Sequence, residues 1–474
     1  MKNTVFRMCA FIIILVIVLY AWVSVFKYKY VDGIYSLTKY YELEDNSVDL
    51  LVLGSSHAFE SFNTMTLWNE YGISSYDLGG CFQPTWNSYY NLKEALKTQT
   101  PKLIVFEAYS TVVTDEYLDS ATTIKNITGM RWSKNKIDDI KASTSEEDRA
   151  QFYLEYSQYH TRYKDISEKD FLDGQGEQYY SSWKGYYCAM QTTPLEYLDV
   201  SMYDERTEMT EKTEYYYRKI IELAQENNIP IMVAVAPFAG INDDKEKVYN
   251  KAGDIAKEYN VPFVNYNLLV DEIGLDYSTD CEDPSHLNFR GSQKFTSYFG
   301  RTALSEYNLP DHRGDERYSS WQENADCLGR MIASQEIKES WDYDYIVSKL
   351  QDENYTICVS IDGNVDMSNE NLKNALEAIN INDLQNTGIY CVEDGIVIWN
   401  SQIKNEFFLG TKNHDIHLSS KQDENGECHN IIIVDGEYYS KVTDGINIMI
   451  YDKAIDEIVD CFGLDANEEY CIVR

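Results

Sequence analysis

The sequence predicts an α/β fold, a parallel sheet covered by helices, followed by a second, smaller α/β domain. Three observations lead there. Short apolar runs ending in glycine or a polar turn recur at 50–53, 75–80, 101–107, 229–237 and 261–265, and each reads as a buried strand. Segments of helical periodicity separate them, at 62–71, 86–98, 211–227, 245–259 and 291–305. Strands that alternate with helices build a parallel sheet covered on both faces. Finally, a polar stretch at 309–335 with Pro310, Gly314 and Gly329 reads as a linker, and strand and helix signals resume beyond it.

The chain opens with Lys2 and Arg7, followed at 8–26 by 19 uncharged residues rich in Ile, Leu and Val. That length just spans a bilayer as a helix, and Tyr20 and Trp22 suit its interfacial belt. No small-x-small cleavage site follows, and Cys9 precedes the apolar core, so neither a cleaved signal nor a lipoprotein signal fits. The expectation is an uncleaved single-pass anchor, with 1–7 cytoplasmic and the bulk of the chain extracytoplasmic. Residues 27–47 then serve as a juxtamembrane connector. The whole chain has 474 residues, enough for two or three domains, and a formal net charge of −37. Such an acidic chain lacks the cationic surface that nucleic acid requires. It equally disfavours docking of the bulk domain on an anionic membrane.

Within 48–308 the first strand runs into Gly54-Ser55-Ser56. In open α/β sheets ligands bind at the carboxyl ends of strands. A serine in that turn can act as a nucleophile beside backbone N–H groups, or can simply cap the next helix. A second stretch, Cys281-Glu-Asp-Pro-Ser-His-Leu-Asn, sets Asp283 three residues before His286. An aspartate so placed can fix one imidazole nitrogen and leave the other to accept a serine proton.

Together Gly54-Ser55-Ser56 and Asp283-Pro-Ser-His286-Leu-Asn resemble the first and last blocks of the SGNH (GDSL-like) hydrolase superfamily, of flavodoxin-like fold. The nearest likeness is to membrane-anchored bacterial members that modify surface polymers, such as the D-alanyl-lipoteichoic-acid transfer protein and polysaccharide O-acetyltransferases. The resemblance implies Ser56 as nucleophile, His286 as general base and acid, and Asp283 as its orienting partner. It implies oxyanion donors at the Ser56 backbone and at Gly79 or Gly80. Many relatives add an asparagine after the third strand; here that place reads Glu107-Ala-Tyr109, and Gln83 is the substitute considered. No metal or organic cofactor is implied. The implied substrate is a cell-surface polymer, and the implied partner a membrane-embedded acyl donor enzyme. Asn288 is expected to hold the loop. The alternative is an inactive SGNH domain serving as a glycan-binding or scaffolding module.

Residues 114–209 lack a strand rhythm and read as a helical insertion, with a helix at 152–163 and an aromatic cluster of Tyr179, Tyr180, Trp183, Tyr186 and Tyr187 around Gly185. These rings can stack on sugars or fill a small core, and the second is tyrosine's usual use. His160 reads as structural. The Tyr-His-Thr-Arg and Trp-Lys-Gly-Tyr-Tyr segments resemble segments of the anchored subgroup, and the resemblance implies a place lining the cleft.

Residues 336–474 form the C-terminal domain, with strands at 355–361, 388–391, 396–399, 430–434 and 445–451 and a helix at 369–379. Residues 355–364 and 445–463 resemble parts of the interleukin-like EMT-inducer module, in rotated order. His414-Asp-Ile-His417 reads as a metal pair or, more simply, a polar loop. Of the ten cysteines, Cys461 with Cys471 or Cys358 with Cys391 can pair in an oxidising compartment, or all can be buried thiols. The sequons at Asn126 and Asn354 are discounted.

Overall fold

The computed structural model describes residues 2–28, 32–153, 159, 162–167, 170–171, 183–350, 352–363, 365–366, 368–382, 388–402, 404–422 and 428–474. It divides into two compact units, Met1–Ala325 and Asp326–Arg474. Of the residues named above, His160, Tyr179 and Tyr180 lie outside the described residues, as does most of 152–163.

In the first unit, helix α1 (Lys2–Phe26) contains a span, Thr4–Phe26, of 23 residues with mean hydropathy 2.8, long and apolar enough to cross a membrane. At 1.5 Å per residue it measures about 34 Å. Helix α2 (Asp32–Tyr40) packs its buried Ile34, Leu37 and Tyr40 inward. Tyr40 meets Tyr76 edge to face at 5.0 Å.

Five parallel strands follow: β1 (Leu50–Gly54), β2 (Ser75–Gly79), β3 (Leu103–Glu107), β4 (Ile231–Val235) and β5 (Phe263–Asn265). Their order is β2-β1-β3-β4-β5. The chain winds one way from β1 to β2 and the other way from β1 to β3, so the order reverses at β1. The ligand crevice of such a sheet opens outside the carboxyl ends of the strands at that reversal. All five residues of β1 are buried, which explains its unbroken apolar run. Leu50, Val52, Leu103, Val105, Met232 and Ala234 share one core cluster with Phe62, Phe295 and Phe299.

The helix expected at 62–71 is α4 (Thr64–Tyr71), and a further short helix, α3 (Ser56–Ser61), precedes it. Asn63 breaks them, since its side chain accepts from the N–H groups of Met65 and Thr66 and starts α4 afresh. Helix α5 (Thr85–Ala95) follows β2. The insertion contributes helices Ser120–Ile127, Lys134–Ser143 and Arg149–Tyr153. Its Trp183 and Tyr186 are buried, so among the described residues these rings are core. Asn126 is 3% exposed, so its sequon is closed to modification in the folded chain.

Gly54 is needed where β1 meets the turn. A Cβ there would lie 2.8 Å from Ala58 Cβ and 2.9 Å from Glu107 Cβ. Gly54→Ala should destabilise the chain by about 1–3 kcal/mol, the usual cost of overpacking a tight core. A shifted urea midpoint would register it; an unchanged midpoint would contradict this packing.

The stretch at 309–335 is not a linker throughout. Ser319–Glu339 is a helix of 21 residues, with Trp321, Ala325 and Leu328 buried at helical spacing. Gly329 sits mid-helix with open space around its Cα, and it disguised the pattern.

In the second unit, β6 (Cys281–Asp283) and β7 (His286–Leu287) of the first having been counted, the strands run from β8 (Tyr355–Asp362) onward. They are β9 (Gly388–Glu393), β10 (Ile396–Asn400), β11 (Glu406–Gly410), β12 (Asp415–Gln422), β13 (Cys428–Val434), β14 (Glu437–Tyr438), β15 (Gly445–Asp452), β16 (Glu457–Asp465) and β17 (Cys471–Val473). They form two antiparallel sheets, β10-β9-β8-β15-β16-β17 and β11-β12-β13-β14. The strands expected at 355–361, 388–391, 396–399, 430–434 and 445–451 and the helix expected at 369–379 are present, the helix as Glu370–Glu377, and β11, β12, β14, β16 and β17 add to them. The polar-loop reading fits His414, which precedes β12, and is corrected for His417. His417 lies within β12, whose Ile416 and Leu418 alternate inward, and it stacks on Phe408 at 4.2 Å. His414 instead bonds Asp435. Cys358 and Cys391 are direct cross-strand partners with sulfurs 3.9 Å apart, and both are thiols. Cys461 pairs across to Met449 and Cys471 to Asp465, so those two sulfurs do not face each other in the ladder.

Candidate active site

Strand β1 delivers the chain to Ser55, which is extended, and α3 begins at Ser56. Neither hydroxyl caps this helix. Ser55 makes no side-chain cap bond and its Oγ is buried without a partner. The Ser56 Oγ instead lies 2.8 Å from His286 Nε2. His286 opens β7, just past the tight turn from β6. Its Nδ1 lies 3.0 Å from Asp283 Oδ2. Asp283 Oδ1 accepts from the N–H groups of Ser285, at 2.6 Å, and His286, at 3.0 Å. One carboxylate thus holds both the turn and the imidazole. Burial alone would raise the Asp283 carboxyl, but the His286 hydrogen bond and charge and the two backbone donors hold it below the ordinary carboxylate range.

Asn288 shapes the next turn. Its Oδ1 accepts from the N–H groups of Arg290 and Gly291 at the start of the helix Phe289–Thr302, and its Nδ2 donates to the Thr279 carbonyl. It holds the loop and does not reach the serine through any of these bonds.

The residues considered for the oxyanion separate into two groups. Gly79 pairs with Gly54, and a Cβ on it would sit 3.0 Å from Gly54 O and 3.2 Å from Ser55 O, so its backbone lies against the serine turn. Gly80 comes next, pressed between Gly33 and Asn126. Gln83, however, is fully buried: its Nε2 donates to Ser88 and its Oε1 accepts from Asn91. Its amide is tied to α5. The carboxyl of Glu107, at the end of β3, accepts from the N–H groups of Tyr109 and Ala236 and so braces the β3 and β4 ends.

Burial pushes the Glu107 carboxyl up to about 8, against the pull of its two backbone donors. Folded Glu107 therefore binds its proton more tightly than the unfolded chain does. The stability linked to it is complete below the ordinary glutamate value of 4.5 and is lost as pH rises through about 8. Glu107→Gln mimics the protonated acid and should flatten the fall of the thermal midpoint between about pH 5 and 8. An equal slope in both proteins would contradict this assignment.

Two neighbours escaped the sequence reading. His57 is buried, stacks on Tyr109 at 3.6 Å and meets Phe238 edge-on at 4.7 Å. Burial, then the charges of His286 and Lys245, hold it well below the ordinary histidine range, so it is a neutral ring flooring the site. Glu60 stands one helical turn beyond Ser56, on the same face of α3, with Oε1 3.7 Å from His286 Nε2. Burial, then the charge and side-chain hydrogen bond of Glu282, holds the Glu60 carboxyl well above the ordinary range. The i, i+4 spacing from Ser56 was the one signal that could have found it. Glu60, Glu282 and His286 offer ligand atoms within 4.8 Å of one another.

No family model and no curated protein matches the chain. Among solved structures it is similar to a proposed acylhydrolase from Bacteroides fragilis, at 11% identity and a TM-score of 0.28, covering 57% of this chain and 94% of that one. A likeness so slight carries no argument here.

Proposed function

We propose that the chain is a membrane-anchored, extracytoplasmic serine esterase or acyltransferase of SGNH type, acting on acyl groups of a cell-surface polysaccharide or teichoic-acid-like polymer. The observation that supports this most is the continuous hydrogen-bonded line from Ser56 Oγ through His286 to Asp283. A serine hydroxyl is a weak nucleophile until a positioned base takes its proton. Ser56 Oγ attacks the ester carbonyl while His286 Nε2 accepts its proton. Asp283 keeps the other proton on Nδ1 and stabilises the imidazolium. The Ser56 N–H and the Gly79 or Gly80 N–H receive the oxyanion. Collapse expels the alcohol, which takes the proton from His286, and leaves an acyl-Ser56 ester. Water or a polymer hydroxyl then gives its proton to His286 and attacks that ester, and the proton returns to Ser56.

The apolar helix α1 supports a site of action beside the membrane, where an anchored domain meets a membrane-borne donor at high local concentration. A membrane-embedded acyl donor enzyme is the partner this reading expects. The C-terminal unit's likeness to the interleukin-like EMT-inducer module belongs to the same reading, with no chemistry assigned to it.

One observation favours the rival, an inactive domain that binds or scaffolds glycan: Glu107 replaces the usual asparagine, and Gln83 is tied to α5. The full chain in detergent, assayed on a chromogenic acetate ester, separates the two. The enzyme turns over slowly and depends on Ser56. Equal hydrolysis by wild type and Ser56→Ala would favour the inactive module.

A further inference from the structure

We propose that Tyr163 and Phe171 form a foot on the first unit that rests in the interfacial layer of a phospholipid bilayer, beside the C-terminal end of α1. This surface rests on the reading of α1 as a membrane anchor. The 23 residues of Thr4–Phe26 cover about 34 Å, slightly more than the roughly 30 Å of hydrocarbon in a bilayer. Phe26 therefore stands at the bilayer's edge. Trp22 stacks on it at 4.3 Å, one turn earlier, where an interfacial aromatic belongs.

The folded body reaches that level through Arg162. Its Nη1 donates to the carbonyls of Phe26, at 2.7 Å, and Lys27, at 3.1 Å, and its guanidinium lies over the Tyr28 ring at 4.7 Å. Carbonyls at a helix C-terminus lack intrahelical donors, and an arginine there satisfies them. Arg162 also pairs with Asp170, whose Oδ2 accepts from the Ser167 N–H. Residues 162 and 170 are thus pinned together at the end of the anchor. One Cα step of about 3.8 Å beyond each stands an exposed ring. Tyr163 is 63% exposed and Phe171 67%. A lone exposed aromatic needs no explanation. These two are set apart by position, because the bilayer that holds α1 occupies the space beside Phe26. A tyrosine there buries its ring and keeps its hydroxyl wet. Lys27 and Lys164 are exposed beside them and can reach lipid phosphates.

The length of the connection agrees. Six Cα steps join Phe26 to Asp32, where α2 begins, and fully extended they cover roughly 20 Å. Helix α2 is built into the body: Ile34, Leu37 and Tyr40 are buried, and the Ser36 Oγ donates to the Asp77 carbonyl. Its Gly33 lies against Gly80, since a Cβ on Gly80 would sit 3.2 Å from Gly33 Cα. The carboxyl end of β2, beside the serine turn, is therefore tied closely to the anchor. With the foot seated, the site is held at one height above the lipid instead of swinging on a tether. On the esterase reading, that height suits an acyl group carried at the membrane surface.

The test places photoreactive p-benzoylphenylalanine at 163, at 171 or, as a control, at 226 in the full chain. Glu226 is exposed at the end of the helix that leads into the amino end of β4, away from the carboxyl ends. Each variant is reconstituted into vesicles of phosphatidylethanolamine and phosphatidylglycerol, irradiated, and digested for peptide mass spectrometry. The expected result is a mass shift of one phospholipid on the peptides bearing 163 and 171 and none on the peptide bearing 226. Both replaced rings are exposed, so either variant decides if the other fails to fold. Retention of the chain through alkaline carbonate with no lipid adduct at 163 or 171, or with an equal adduct at 226, would overturn the foot and leave the anchor standing. Release of the chain by carbonate would sink the anchor reading, and the foot with it. Adducts formed in native membranes, to a protein and not to lipid, would overturn the proposal in favour of a membrane protein partner.

Discussion

Ser56→Ala should reduce ester turnover by about 10⁴-fold or more, or to the uncatalysed rate if that is reached first. The alanine keeps the β1–α3 turn but removes the only atom that can form the acyl intermediate. His286→Ala should cost as much, because the serine is inert without a base. The double variant should be hardly slower than either single one, since the members act as a unit. Multiplicative losses would mean that the two side chains contribute independently, and the proposed relay would fail.

Asp283→Asn should cost about 10⁴-fold in kcat while leaving the fold intact. The asparagine Oδ1 can still accept from the Ser285 and His286 N–H groups, so the turn survives. The side chain is 47% exposed, so the substitution strands no deeply buried charge. The atom facing Nδ1, however, becomes an NH₂ donor. It forces the proton onto Nε2, and the nitrogen beside Ser56 can no longer accept. Matched thermal melts with a collapsed rate would support this account. A rate within tenfold of wild type would show that Asp283 serves the turn alone.

How much of this could be read in advance depended on whether the determining contacts were local. The serine turn was legible because an apolar run must be buried and Gly54 must end it. Asp283 and His286 were legible because three residues of separation suffice for a carboxylate to reach its own turn. Gln83 was not: whether an amide faces a cleft or the neighbouring helix depends on Ser88 and Asn91, which the sequence offers without directions. His57 and Glu60 follow the serine turn closely in sequence, but burial, which gives them their character, is a tertiary fact. In the C-terminal unit, β12 alternates Ile416 and Leu418 as a strand should, but Asp415, His417 and its two serines give it the polar composition of a loop. The helix Ser319–Glu339 was hidden by Gly329.

The central claim is that His286 makes Ser56 the reactive hydroxyl. The most direct measurement is peptide mass spectrometry of the full chain after exposure to a fluorophosphonate. The account predicts one adduct, on Ser56 and not on Ser55, lost in His286→Ala. An adduct on Ser55, no adduct on Ser56, or labelling of Ser56 undiminished in His286→Ala would contradict it.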